Sequence, residues 1–325
     1  MIAGASRIVI LFAMAVSPFV AAQRASLSQV VMVSSGSEEG TRPFRESFLD
    51  GMRQAGQVEG TTFRFGARYA DGDAARLAQL TRESVTERPS VLVVAGLTGA
   101  RLAHNATSSI PIVVATSSDL VDAGIVKSLA HPGGNVTGVS DLADETASKR
   151  LELIKAALPN VSRVALLVNP QFPATAKIEA RVRSTAAPLG ITITRVQATD
   201  RASLALAIDA LAKSPPDALL VGGDTVLTAM ADEIIERASA LRIAVVHYWP
   251  GTAEQGAILS YQTDIVDNFR RAAGYVDRIL KGAKPGELPI YQPTRYELVV
   301  NAKAARAFGL TLAPEFLVRA DRVIQ

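Results

Sequence analysis

Cysteine is absent from this 325-residue chain, and histidine occurs only three times, at His104, His131 and His247. The first absence rules out a disulfide framework and a lipid anchor on an N-terminal cysteine. With so few histidines and no clustered His, Asp and Glu at ligand spacing, no zinc or other metal site is expected. Runs of like charge are also missing. The 34 Lys and Arg are scattered among 31 Asp and Glu, for a net charge of +3. Without a basic stripe interleaved with aromatics, a nucleic-acid partner is not expected. Catalytic signatures are lacking as well: there is no Gly-x-Ser-x-Gly elbow, no Gly-x4-Gly-Lys-[Ser/Thr] phosphate loop and no Gly-x-Gly-x-x-Gly fingerprint after a strand. An enzyme and a bound cofactor are therefore not expected. A hydrolase or isomerase using His247 with Asp224 is the alternative from that class, against the plainer reading of His247 as a satisfied polar residue lining the cleft.

What is present is a large apolar fraction, 48% of residues against 20% charged, which excludes disorder. The length suggests two domains of about 150 residues each. At the start, Arg7 precedes an apolar stretch at 8–16, and Ser17-Pro18-Phe19-Val20-Ala21-Ala22 precedes polar Gln23-Arg24. That order reads as a cleavable export signal ending after Ala22, the alternative being a buried first element. No later segment is long and apolar enough to span a bilayer, so a free periplasmic protein is the expectation.

Downstream the pattern alternates. Short apolar runs at 30–33, 91–95, 112–115 and 136–139, with an alternating run at 61–69, read as strands, and helical spacing falls at 42–54, 73–88 and 99–106. The pattern restarts after a helix at 144–158, with strands at 164–168, 192–196, 218–221, 244–248 and 258–261 and helices at 174–189, 203–213 and 225–240. A long helix at 264–280, a strand at 296–300, a short helix after Asn301 and helical spacing at Phe316, Leu317, Ala320 and Val323 complete it. The fold class is α/β: two doubly wound parallel-sheet lobes joined by a hinge near Ser140-Asp141. The expected division is 26–140 with about 263–295 in one lobe, and 141–262 with about 296–325 in the other.

Six apolar runs stop at clusters of small polar or aromatic residues, among them Ser34-Ser35-Gly36, Gly96-Leu97-Thr98-Gly99, Thr116-Ser117-Ser118-Asp119, Asn169-Pro170, Gly222-Gly223-Asp224-Thr225 and His247-Tyr248-Trp249. In open α/β sheets ligands sit outside the carboxyl ends of the strands, so the chain reads as a small-molecule receptor. Ser34, Ser35, Thr98, Thr116 and Ser117 offer hydroxyls in loops that open helices, whose amides attract a carboxylate. Asp119 and Asp224 are candidates to accept from an ammonium. Each serine and threonine is equally an ordinary helix cap, whereas for Asp119 and Asp224 ligand contact is the favoured reading over capping. Tyr248, Trp249 and Tyr261 stand out in a chain with 5% aromatics, as walls for a ring or aliphatic group.

Several blocks resemble the ABC-transporter substrate-binding protein family that includes tryptophan/tyrosine-type receptors. They are Asp71-Gly72-Asp73 with Arg76-Leu77, Ile110-Pro111-Ile112-Val113, Pro132-Gly133-Gly134-Asn135-Val136-Thr137-Gly138, Tyr275-Val276-Asp277-Arg278-Ile279-Leu280-Lys281-Gly282, Gln292-Pro293-Thr294 and Arg319-Ala320-Asp321. The resemblance runs from about residue 29 to the end. It implies a type I periplasmic-binding-protein fold with three crossovers, capture of an amino acid or related carboxylate between closing lobes, and delivery to an inner-membrane ABC permease, with no catalysis. A monomer is expected. A ligand sensor that presents its closed form to a membrane receptor is the alternative. Mapped onto this chain, the family's cleft loops fall on Ser34, Ser35, Gly36, Gly96, Thr98, Thr116, Ser117, Asp119, Asn169, Asp224, Tyr248 and Tyr261. The chain departs from the family pattern at Gly96-Leu97-Thr98-Gly99, Ser118-Asp119-Leu120 and His247-Tyr248-Trp249-Pro250, all cleft positions.

Overall fold

The computed structural model describes residues 27–141 and 146–325. The expected export signal, 1–22, lies outside the described residues. No helix among them is long and apolar enough to cross a membrane.

The first sheet contains β1 (Ser28–Ser34), β2 (Phe63–Tyr69), β3 (Val91–Val94), β4 (Ile112–Val114) and β5 (Val136–Gly138), in the order β2-β1-β3-β4-β5. Every pairing is parallel. Its connections carry α1 (Glu38–Gln54), α2 (Ala74–Thr86) and α3 (Gly96–Ala106). Strand β3 reads Val-Leu-Val-Val and is buried on both faces, as a parallel strand covered by helices on both sides must be. Helix α1 starts four residues earlier than apolar spacing predicts. Its cap, Ser37, accepts from the Gly40 amide at 3.1 Å, and Pro43 sits inside the helix. The apolar face of Phe44, Phe48, Leu49 and Met52 begins only after that proline, so spacing alone places the start late.

The second lobe opens with α4 (Thr146–Ala157) and holds β6 (Arg163–Val168), β7 (Thr192–Gln197), β8 (Ala218–Val221), β9 (Ala244–His247), β10 (Leu259–Thr263), β11 (Tyr296–Asn301) and β12 (Arg322–Ile324). The order is β12-β11-β10-β9-β8-β6-β7. One pair, β10 with β11, is antiparallel, a departure from the all-parallel expectation. Helices α5 (Thr175–Ala186), α6 (Arg201–Ala210), α7 (Thr225–Thr228), α8 (Ala231–Ala240) and α9 (Gly251–Gln255) connect the strands, and α11 (Ala302–Ala307) and α12 (Pro314–Leu317) close the chain around β12. Between α9 and α11, helix α10 (Ile265–Leu280) leaves β10 and packs along α1 on the first lobe.

Two local expectations change. The single helix expected at 225–240 is broken at Ala229 and Met230 into α7 and α8. The helical spacing at Phe316–Val323 resolves into α12 and then β12, which pairs parallel with β11. Asp321 holds that register by accepting from the Leu298 amide at 2.8 Å and donating its own amide to the Leu298 carbonyl at 3.0 Å. Cross-strand pairing overrides the side-chain period there.

The chain passes between lobes three times: after β5, after β10 and before β11. The first and third passages are tied together, with the Ser140 amide on the Tyr291 carbonyl at 2.9 Å and the Tyr291 amide on the Gly138 carbonyl at 2.9 Å. Residues 142–145, within the first passage, lie outside the described residues.

Candidate functional site

The carboxyl ends of β1, β3 and β4 in one sheet face those of β6, β8 and β9 in the other, across a cavity of about 430 Å³. On the first lobe, chain reversal after β1 is fixed by the Ser34 hydroxyl, which accepts from the Gly36 amide at 3.1 Å. Helix α3 begins at Gly96 without any side-chain cap. The Gly96 amide is taken by the Thr116 carbonyl at 2.7 Å, and the N-terminal end of α3, where an anion is favoured, lies on the cavity through Ala95, Gly96 and Leu97. Beside them Ser117, 3% exposed, has a hydroxyl with no hydrogen-bond partner among the described residues. Next to it Asp141, 2% exposed, receives the Thr116 hydroxyl and donates its amide to the Ser117 carbonyl at 2.8 Å. A buried carboxylate and an open hydroxyl thus share one wall.

On the second lobe, α7 presents Thr225 and Thr228, and the turn after β9 presents Tyr248 and Trp249. Tyr248 and Thr228 share a short hydroxyl–hydroxyl hydrogen bond, and burial raises the Tyr248 phenol well above its ordinary value. The indole of Trp249 meets Phe44 of α1 at 5.7 Å between centroids, and Phe44 stacks on Phe269 of α10 at 5.1 Å. With Phe172 these rings give the cavity an aromatic side. At its mouth stand Glu39, Asp232 and Arg201, of which Glu39 pairs with Arg42 and Arg201 with Glu233, each at 2.8 Å.

The lobes touch around the cavity. Gly96 lies against Thr225, Gly72 against Ala229, and the Lys177 ammonium reaches the Asp122 carboxylate at 2.5 Å. The arrangement is closed.

Of the residues expected at the cleft, Ser34, Ser35, Gly36, Gly96, Thr116, Ser117 and Tyr248 line this cavity. Thr98, Asp119, Asn169, Asp224 and Tyr261 do not. Thr98 was expected in a loop, but α3 starts at Gly96 and places it inside the first helical turn. Asp119 accepts from the Val121 and Asp122 amides at 3.0 and 3.1 Å and lines a separate pocket of about 80 Å³. Asp224 caps α7 by accepting from the Val226 amide at 3.1 Å and takes the Asn169 side-chain amide at 2.7 Å, so these two stand behind α7 and fix Thr225 and Thr228. Tyr261 stacks on Tyr296 at 5.4 Å. Asp141, Glu39, Phe44, Phe172, Thr225 and Phe269 are cavity residues that sequence reasoning did not single out. Asp141 read only as part of a hinge, and the phenylalanines as apolar helix faces, because nothing local separates a helix face that meets a cleft from one that meets a core.

Beneath the second-lobe wall lies a buried polar layer. His247 accepts the Trp249 amide on Nδ1 at 3.0 Å, stacks on Tyr248 at 4.9 Å and is 0% exposed. Burial and then the Arg150 cation push its pKa down to about 3. Arg150 is itself fully buried, donates to Thr146 at 2.7 Å and to the Val221 carbonyl at 3.3 Å, and is lowered by burial to about 9. Burial raises Asp224 to about 6. His247 and Asp224 do not bond each other and neither lines the cavity, which leaves a His–Asp catalytic pair without geometry.

The two shifts oppose each other in acid. Unfolding lets His247 take a proton that the folded chain refuses, so its contribution is complete above about pH 6.5 and is lost as pH falls toward 3. Asp224 binds its proton more readily when folded, so its burial penalty lifts as pH falls from about 6 toward 3.8. Measured by urea midpoint, His247→Gln gains stability relative to wild type between pH 6 and 4, and Asp224→Asn loses it. Each slope approaches about 1.4 kcal/mol per pH unit.

Comparisons with known proteins place the chain. The family model described as ABC transporter substrate binding protein matches residues 30–324. A curated tyrosine-binding protein of Clostridioides difficile is 23% identical over 278 residues, 82% of this chain and 76% of that protein. The crystal structure of a conserved domain protein from Vibrio cholerae is 30% identical, with a TM-score of 0.83 over 91% of this chain and 99% of that one. A Streptococcus pneumoniae ABC domain in complex with L-Trp has the same TM-score at 23% identity, covering 92% of this chain and 100% of that one.

Proposed function

Given that the chain belongs to the ABC transporter substrate-binding protein family, with the two-lobed type I periplasmic-binding-protein fold, we propose that it captures an aromatic L-amino acid in the interlobe cavity and delivers it, from the periplasm, to an ABC permease. The observation that carries this reading is that the Asp141 carboxylate, the Ser117 hydroxyl and the start of α3 line the same cavity as the rings of Phe44, Trp249, Phe269 and Phe172. The ligand ammonium lies against the Asp141 carboxylate, which also takes the Thr116 hydroxyl. The ligand carboxylate faces Ser117, Ser35 and the start of α3, where fixed dipoles favour negative charge. The flat side chain lies against the aromatic side, where ring contacts add to simple burial. The tyrosine-binding relative and the L-Trp complex support this ligand class.

The moving units are the two lobes, with residues 26–140 and about 263–295 turning against 141–262 and about 296–325 at the three passages. The ligand touches both walls only when they are closed, and that difference in affinity is what shifts the equilibrium. Micromolar capture needs about 8 kcal/mol of net binding free energy, within reach of two charge-assisted head-group contacts and one buried ring. A thermal-shift screen of the amino acids tests the reading. An aromatic amino acid at about a hundred times its Kd stabilises the fold by about 2.7 kcal/mol; no shift with any of them overturns it.

A further inference from the structure

The Trp249 side of the cavity rests on Gly251, which is not among the lining residues. Trp249 has its backbone fixed at both ends: its amide donates to His247 Nδ1 at 3.0 Å, and its carbonyl accepts the Thr252 amide at 3.1 Å and the Thr252 hydroxyl at 2.6 Å. Only its side-chain torsions are left to place the indole. The ring folds back over the first residue of α9, so a Cβ at Gly251 would lie 2.7 Å from Cζ2, 2.8 Å from Cε2 and 3.2 Å from Cη2. Real side chains do not approach so closely, and close-packed surroundings transmit such displacements. The backbone itself does not demand glycine here, since Gly251 is absent from the residues with positive φ, and at the start of a helix alanine is otherwise the better residue. The missing side chain at 251 therefore serves the indole.

We propose that Gly251 is a specificity-positioning residue: by leaving room for the Trp249 ring against α9 it holds the cavity wide enough for a large aromatic ligand. A methyl group at 251 pushes the indole off α9, and because Phe44 is already in contact with the ring at 5.7 Å between centroids on the same side, the displaced indole takes up ligand space. The consequence is selective: bulky ligands lose affinity more than compact ones of the same head group. The ligand arm of this inference rests on the aromatic amino-acid reading above. The positional arm does not.

Trp249 is the sole tryptophan, so emission from the ligand-free protein reports its surroundings alone. In Gly251→Ala the emission maximum shifts from that of wild type. The melting temperature falls on Gly251→Ala in the wild-type background but holds or rises in a Trp249→Phe background, because a phenyl ring does not reach the positions of Cζ2 and Cη2. By calorimetry the ratio of Kd for L-tryptophan to Kd for L-phenylalanine rises at least tenfold on Gly251→Ala, and changes less than twofold when position 249 is Phe. Unchanged emission, or equal effects of Gly251→Ala in both backgrounds, overturns the proposal. If the wild type binds neither amino acid, the ligand reading fails, and the emission and melting arms decide the role of Gly251 by themselves.

Discussion

Gly96→Ala weakens ligand binding by roughly 10- to 100-fold while leaving each lobe folded. Gly96 adopts φ +75 where the first lobe meets the second, and a Cβ there would lie 2.5 Å from Thr225 Cγ2 and 2.9 Å from Thr225 Oγ1. Two costs need separating. The left-handed backbone costs alanine about 1–2 kcal/mol, but that strain is paid within the first lobe and is the same whether the cleft is open or closed. The overlap with Thr225 exists only when the lobes meet. Overpacking of this kind costs about 1–3 kcal/mol, and that part alone is subtracted from closure and hence from affinity. Thr225→Ala removes both overlapping atoms, leaving its Cβ at 3.3 Å, so the double variant recovers affinity without recovering the lost melting temperature. A double variant that binds no better than Gly96→Ala would place the defect in the first lobe and remove the contact from the account of closure.

The second large effect is expected at Asp141. Asp141→Asn keeps an acceptor for the Thr116 hydroxyl and conserves volume, but loses the charge that faces the ligand ammonium. A hydrogen bond to a charged group is worth about 1.5–3 kcal/mol, so amino-acid affinity falls by roughly 10- to 150-fold. Calorimetry on the variant checks this, with thermal unfolding as the control for the fold. Undiminished affinity would mean that the ammonium is held elsewhere, Glu39 and Asp232 at the mouth being the other carboxylates on the cavity among the described residues.

These residues show how far the sequence can be read. Strands such as Val91–Val94 and Ala218–Val221 were legible because parallel strands covered on both faces are unbroken apolar runs. The polar clusters at their ends were legible too, and Ser34, Ser35, Gly36, Gly96, Thr116, Ser117 and Tyr248 do share one cavity. What one sequence does not carry is which polar side chains are consumed by their own neighbourhood. Asp119 and Asp224 look like ligand acceptors and instead close local amides. Asp141 looks like hinge and stands on the wall because the Ser140 and Asp141 amides are drawn against Tyr291 and Ser117 from distant parts of the chain. Thr98 was misplaced by three residues of helix. The strand at Arg322–Ile324 was hidden because its apolar residues also fit a helical period, and only pairing with Tyr296–Asn301 decides between them.

Zwitterion selectivity in the cleft is the claim on which the rest depends, and calorimetric titration of the wild-type chain with L-tryptophan, tryptamine and 3-indolepropionate tests it most directly. The three share one ring and differ in the head group. Binding of L-tryptophan at least tenfold tighter than either singly charged analogue is the expected result, since each analogue forfeits one of the two first-lobe contacts. Equal affinity for all three, or none for any, would contradict it.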